Sequence, residues 1–138
     1  MAMKIDKIQI RVRYGETDQM GVVHHGNYAL YLEMGRIEWL RKLGISYKDM
    51  EKNGIMLPVV SMTLNFKKPA YYDDLINVKT ELKKPPSAKV EFDYEITNEQ
   101  GDILCTASTI LVFVDSQTKR PIKAPDYFLE SIENSVQH

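Results

Sequence analysis

Between Asn27 and Leu43 the sequence reads as a helix that is apolar around most of its circumference. Tyr28, Leu32, Gly35, Trp39 and Leu43 fall on one helical stripe, and Leu30, Met34 and Ile37 on another. A helix of that kind cannot lie on a surface with one broad face in water; it needs cover on several sides. Asn27 is the expected N-cap and Gly44 the expected stop. Glu33–Arg36 and Glu38–Lys42 stand at spacings where side chains pair along a helix.

The rest of the chain supplies the cover as strands. Before the helix, Ile8, Ile10, Val12 and Tyr14 alternate with polar residues. After Pro58 the same period of two recurs three times, through Val60–Phe66, Ile76–Leu82 and Val90–Ile96. The run from Ile103 to Asp115 alternates little, which predicts a central strand buried on both faces. Pro69, Asp73-Asp74, Pro85-Pro86 and Asn98 to Asp102 mark the turns between these runs. Short helices are expected over 46–53 and around Tyr127, Phe128, Ile132 and Val136. One strand, one long helix and four further strands make an α+β domain. An open sheet of five strands has two edges, and natural proteins seldom leave long edges bare, so pairing between copies is expected.

The 138 residues fit one domain spanning 1–138. A formal net charge of −1 argues against a nucleic-acid partner. One cysteine, Cys105, excludes an internal disulfide framework and reads as a buried structural thiol. Lys4, Lys7, Arg11 and Arg13 interrupt the N-terminal stretch, so no signal peptide is expected there. No window approaches the ~20 apolar residues of a membrane span, and a cytoplasmic location follows as the expectation.

Chemistry concentrates in one segment, Tyr14 to Tyr28, which joins the first strand to the long helix. It holds Glu16, Asp18, His24, His25 and Asn27 among glycines at 15, 21 and 26. It ends where free backbone N–H groups and the helix dipole favour negative charge. A carboxylate beside such a helix start suits acyl transfer. The same residues also fit a plain reading, with Asp18 making an Asx turn, Asn27 a cap and both histidines solvated. A metal site fits less well, because adjacent histidines do not readily face one ion and no third His lies at a familiar spacing.

The pattern Tyr14-x-x-Thr17-Asp18-x-x-Gly21-x-Val23-x-His25-x-Asn27-Tyr28, followed by Tyr31-Leu32-Glu33 and Arg36, resembles the signature of the hotdog-fold acyl-CoA thioesterases. It is most similar to the 4-hydroxybenzoyl-CoA type, which includes the Tol–Pal-associated enzymes. Pro69-Ala70-x-x-Asp73-Asp74 also fits a turn of that family. The resemblance implies a hotdog fold, an antiparallel five-stranded sheet wrapped around one long central helix. It implies a homodimer or homotetramer with sites at the subunit interface, no cofactor and no metal. It implies hydrolysis of an acyl-CoA to a carboxylic acid and CoA, with Asp18 as nucleophile or general base. It further implies that the backbone N–H of His25 polarises the carbonyl and that the His25 imidazole assists.

Around this pair, Tyr14 is a candidate to line the site or orient Asp18, and Asn27 to act indirectly through the helix start. Val60 and Ser61 are candidates for the acyl pocket. Lys83, Lys84 and Lys89, which flank the Pro85-Pro86 turn, are candidates for the CoA phosphates. The alternative function is a module that binds an acyl-CoA or other acyl thioester without cleaving it. The acyl group itself is left open by the sequence.

Overall fold

The strand pattern closes into a single antiparallel sheet in a computed structural model that describes residues 4–136. Its strands are β1 (Ile5–Arg11), β3 (Val59–Phe66), β4 (Leu75–Leu82), β5 (Lys89–Thr97) and β6 (Ile103–Val112), in spatial order β1-β4-β5-β6-β3. A two-residue strand β2 (Ile55–Met56) pairs separately with β7 (Val114–Asp115). The helices are α1 (Asn27–Arg41), α2 (Tyr47–Lys52) and α3 (Asp126–Val136). No described helix is long and apolar enough to cross a membrane.

The sheet curls about α1, which packs on β1 and β4. Gly35 permits the close approach: a Cβ there would stand 2.6 Å from Thr80 Oγ1 and 3.0 Å from Val78 Cγ1. Tyr28, Tyr31, Leu32, Trp39 and Leu40 bury against the sheet, Trp39 meeting Phe92 edge-on with ring centroids 5.1 Å apart. The expectation of a helix covered all round is met on one side only. Leu30 and Met34 are 55% and 45% exposed in the single chain, because the sheet wraps the opposite face.

Other local expectations shift in the same way. β6 lies inside the sheet, yet it buries alternate residues on one face and not both, and it breaks at Phe113 before β7. Cys105 is buried, as its neighbours suggested. The charge pairs on α1 are rearranged. Glu38 pairs with Arg41, and Lys42 reaches Asp6 at 2.6 Å. Arg36 turns inward instead of meeting Glu33; it is buried, and its Nε and Nη1 meet no acceptor. α2 is capped by Ser46, whose Oγ accepts from the Asp49 N–H at 3.3 Å.

The sheet has two edges, β1 and β3. The β3 edge is apolar for an edge exposed to water: Val60 and Phe66 are each more than half exposed, and Met62 about a third. Val60 is the extra residue of a bulge against β6, between the pairs Val59–Leu111 and Ser61–Ile110.

Candidate active site

The segment between β1 and α1 is a small folded-back loop. A 3₁₀ turn over Tyr14–Glu16 leads into bridges between Thr17 and Val23 and between Val22 and Tyr71. Gly21, at φ +79°, makes the tight reversal between them, a conformation a side chain would resist. Asp18 organises this turn. Its N–H donates to the Val22 carbonyl at 2.8 Å, and its Oδ1 accepts from the N–H of Met20 at 2.8 Å and, more loosely, of Val22 at 3.4 Å. Among the described residues Oδ2 takes no hydrogen bond. The Asx-turn reading of Asp18 therefore holds, and it leaves one carboxylate oxygen free.

Glu16 ties the loop to the helix. Its carboxylate accepts from the Arg13 N–H at 2.9 Å, Arg13 Nε at 3.0 Å and the Tyr31 hydroxyl at 2.8 Å. Its carbonyl accepts from the Asn27 amide at 2.8 Å and the His24 N–H at 2.9 Å. Burial works to raise the Glu16 pKa, but the bonds from Arg13 and Tyr31 outweigh it and hold the carboxyl below its ordinary value. Burial, then the bond to Glu16, pushes the Tyr31 hydroxyl far up.

His25 stands exposed just before α1, its ring stacked loosely on His24 at 4.3 Å. The Gly26 N–H donates to His24 Nδ1 and the Asn27 N–H to the His24 carbonyl. The His25 N–H itself has no acceptor among the described residues. It stands one residue before Gly26, the N-cap of a fifteen-residue helix, where the helix dipole is positive.

Asp18 and His25 line one cavity of about 340 Å³ with Val22, Val23, Tyr28, Phe66, Lys67, Lys68 and Pro69. Tyr28 and Phe66 form its apolar wall, edge to face at 5.1 Å. The cavity thus offers a free carboxylate oxygen, a free N–H at a helix start, an apolar wall and two cations at its rim. Among the described residues no three His, Cys, Asp or Glu side chains converge as a metal cage would need.

The structure joins Asp18 and His25 but not the other residues expected at the site. Tyr14 is 78% exposed and packs edge-on against Tyr72, outside the cavity. Asn27 does not cap the helix: it is the first helical residue, Gly26 precedes it, and the Asn27 amide braces Glu16 instead. Val60, Ser61 and Lys89 lie toward the other end of the sheet. Phe66 pairs with Cys105, whereas Val59 pairs with Leu111 and Lys89 with the adjacent Val112. Seven residues of β3 separate the two ends, roughly 23 Å at strand spacing. Sequence reasoning missed Lys67 and Lys68. The only sign of them was a basic pair directly between the apolar run ending at Phe66 and Pro69.

The sequence and the fold are those of a known class. Residues 12–132 match the model of the thioesterase-like superfamily, and the chain belongs to that family. YneP of Bacillus subtilis, named as a candidate acyl-CoA thioesterase, is 38% identical over 121 residues, 88% of each chain. YbgC of Escherichia coli O157:H7, named an acyl-CoA thioester hydrolase, is 30% identical over 116 residues, covering 84% of this chain and 87% of that one. Among solved structures, a DHNA-CoA thioesterase from Staphylococcus aureus superposes with a TM-score of 0.89 at 40% identity, covering 96% of this chain and 91% of that one.

Proposed function

We propose that this chain is an acyl-CoA thioesterase, a hydrolase that converts an acyl-CoA and water to a carboxylic acid and CoA. The observation that carries the reading is the shared cavity of Asp18 and the His25 N–H, in a chain of this superfamily. The names of YneP and YbgC support it.

In this reading the thioester carbonyl oxygen points at the His25 N–H. Charge gathers on that oxygen as the carbonyl is attacked, and one such fixed donor is worth about 3 kcal/mol. Asp18 Oδ2 is the reactive atom. It either attacks the carbonyl carbon, giving an acyl anhydride that water then opens, or takes a proton from the attacking water. Both routes break the C–S bond, release CoA as a thiolate that picks up a proton, and restore Asp18. Oδ1 stays engaged by the turn, so the carboxylate keeps its aim throughout. The His25 imidazole, exposed at the cavity rim, assists at the leaving group.

We read residues 1–138 as one working domain that acts as a homodimer. Two β3 edges meeting antiparallel about a two-fold axis near Met62 and Thr63 would cover the exposed apolar edge. They would also set the Val60–Ser61 end of one subunit, with Lys89 behind it, against the Asp18 cavity of the other. Residues that one chain holds some 20 Å apart then meet across the interface. The exposed Leu30 and Met34 on α1 offer a second apolar face for pairing dimers into a homotetramer. A cytoplasmic location suits an acyl-CoA substrate and a lone buried thiol.

The test is thiol release from a panel of acyl-CoAs spanning short, medium, long and aromatic acyl groups. Turnover of at least one is the expected result. Tight binding with no thiol release across the panel would replace this reading with that of an acyl-CoA binding module.

A further inference from the structure

The molecule carries almost no net charge, so nothing global draws a polyanionic ester toward it. Whatever attraction exists has to be local. The cavity of Asp18 and His25 has two cations, Lys67 and Lys68, against a single carboxylate. The N-terminus of α1 adds further positive potential on the same side. Lys67 takes part in no ion pair among the described residues, and Lys68 reaches Asp102 only at 3.6 Å with both groups well exposed. A pair that loose and solvated leaves Lys68 available.

Lys83, Lys84 and Lys89, the other candidates for the phosphates, do not line this cavity in the single chain. Lys84 is engaged by Glu91 at 2.7 Å, in the turn after β4. The cavity around Arg36 has the opposite balance, with Glu33 and Glu51 against one cation. Backbone geometry also fixes where Lys67 and Lys68 stand. Their N–H groups both donate to the Leu104 carbonyl, at 2.8 and 3.2 Å, which anchors the main chain just beyond β3 while the four-carbon stems remain free.

We propose that Lys67 and Lys68 form the subsite that holds the phosphates of the CoA carrier, at the mouth of the Asp18 cavity. The assignment rests on the acyl-CoA reading above and adds what that reading lacks, a grip on the part of the substrate that does not react. The lysines act as point charges that reach outward along the rim, while the thioester lies inward against Tyr28 and Phe66. Binding energy from this remote, unreactive part of the substrate positions the thioester without touching it.

The experiment presents one acyl group on two carriers, CoA and N-acetylcysteamine, the second of which has no phosphates. Wild type is compared with Lys67→Met/Lys68→Met, both exposed positions where the melting curve checks that the fold is kept. For the CoA thioester, KM is expected to rise about tenfold, the size of one charge-assisted hydrogen bond, with kcat within about twofold. Added salt should raise the wild-type KM for the CoA thioester and leave that of the double variant nearly flat. For the N-acetylcysteamine thioester, wild type and variant should agree within about twofold in both parameters. An equal rise on both carriers, or no rise on CoA, overturns the assignment. Wild-type enzyme that cleaves neither thioester, whatever the acyl group, overturns the acyl-CoA reading itself, so the two failures are told apart.

Discussion

Glu16 takes three hydrogen bonds on its carboxylate and two on its carbonyl, and Asp18 sits two residues further along the loop those bonds secure. The proton linkage of Glu16 follows from its lowered pKa. As pH falls, the unfolded chain takes up the proton first, so the Glu16 contribution to stability is complete above about pH 4.5 and disappears as pH drops through the lower folded value. Glu16→Gln is therefore expected to melt below wild type at pH 7 and to approach it as pH falls below about 4.5. Glu91, also held below its ordinary value by the bond from Lys84, responds to pH in the same direction. The quantity to measure is accordingly the difference between the two melting curves, and a difference that stays constant with pH would refute the role. The sequence placed Glu16 in the right cluster but gave no sign of this bracing. The contacts come from Tyr31 and Asn27, 15 and 11 residues away, and only the folded loop brings them in. Asn27 illustrates the same limit: its residue type suits a cap, but a tertiary contact uses the amide elsewhere.

At the scale of elements, period-two alternation located β1, β3, β4 and β5, because one face of each packs on the core, whereas β6 showed only as a long apolar run. The helix was equally visible, and so was its close seat, though for a reason the sequence does not print. Gly35 lies on the apolar stripe, where it reads as a gap. In the folded chain it is where α1 comes nearest to β4. A methyl group at that position meets Thr80 and Val78, both fully buried, so neither neighbour has room to yield. Gly35→Ala is expected to cost about 1–3 kcal/mol through overpacking, against the small gain alanine brings to an isolated helix. That corresponds to a fall in melting temperature of roughly 3–10 °C. A variant as stable as wild type would show that the helix can ride outward freely. The misread of Arg36 belongs here too. Helical spacing put it beside Glu33, but its place on the sheet-facing side took it into the core, near the hydroxyls of Tyr47 and Tyr94.

At the scale of the molecule, the sequence overstated how much of the helix one chain can cover. Leu30, Met34 and the β3 edge stay exposed for the same reason: a single sheet cannot close around both sides of α1. The homodimer we propose accounts for the edge, and it makes the scattered residues Val60, Ser61 and Lys89 intelligible as contributions to a neighbour's site. Met62→Lys puts a charge in the middle of that edge, a device natural sheets use to prevent edge pairing. The variant is expected to run at the mass of one chain in light scattering, where wild type runs at two or four, and to lose thiol release with it. A wild type that is itself monomeric at working concentration and active would rule out the shared site.

All of these levels converge on the free oxygen of Asp18. Asparagine keeps the acceptor that holds the turn through Met20 and Val22, so Asp18→Asn should fold and melt like wild type while losing the reactive carboxylate. Thiol release from the best acyl-CoA of the panel should then fall about a thousandfold or more, the scale of a lost general base or nucleophile. A folded Asp18→Asn protein that turns over that substrate within about tenfold of wild type would contradict the central claim.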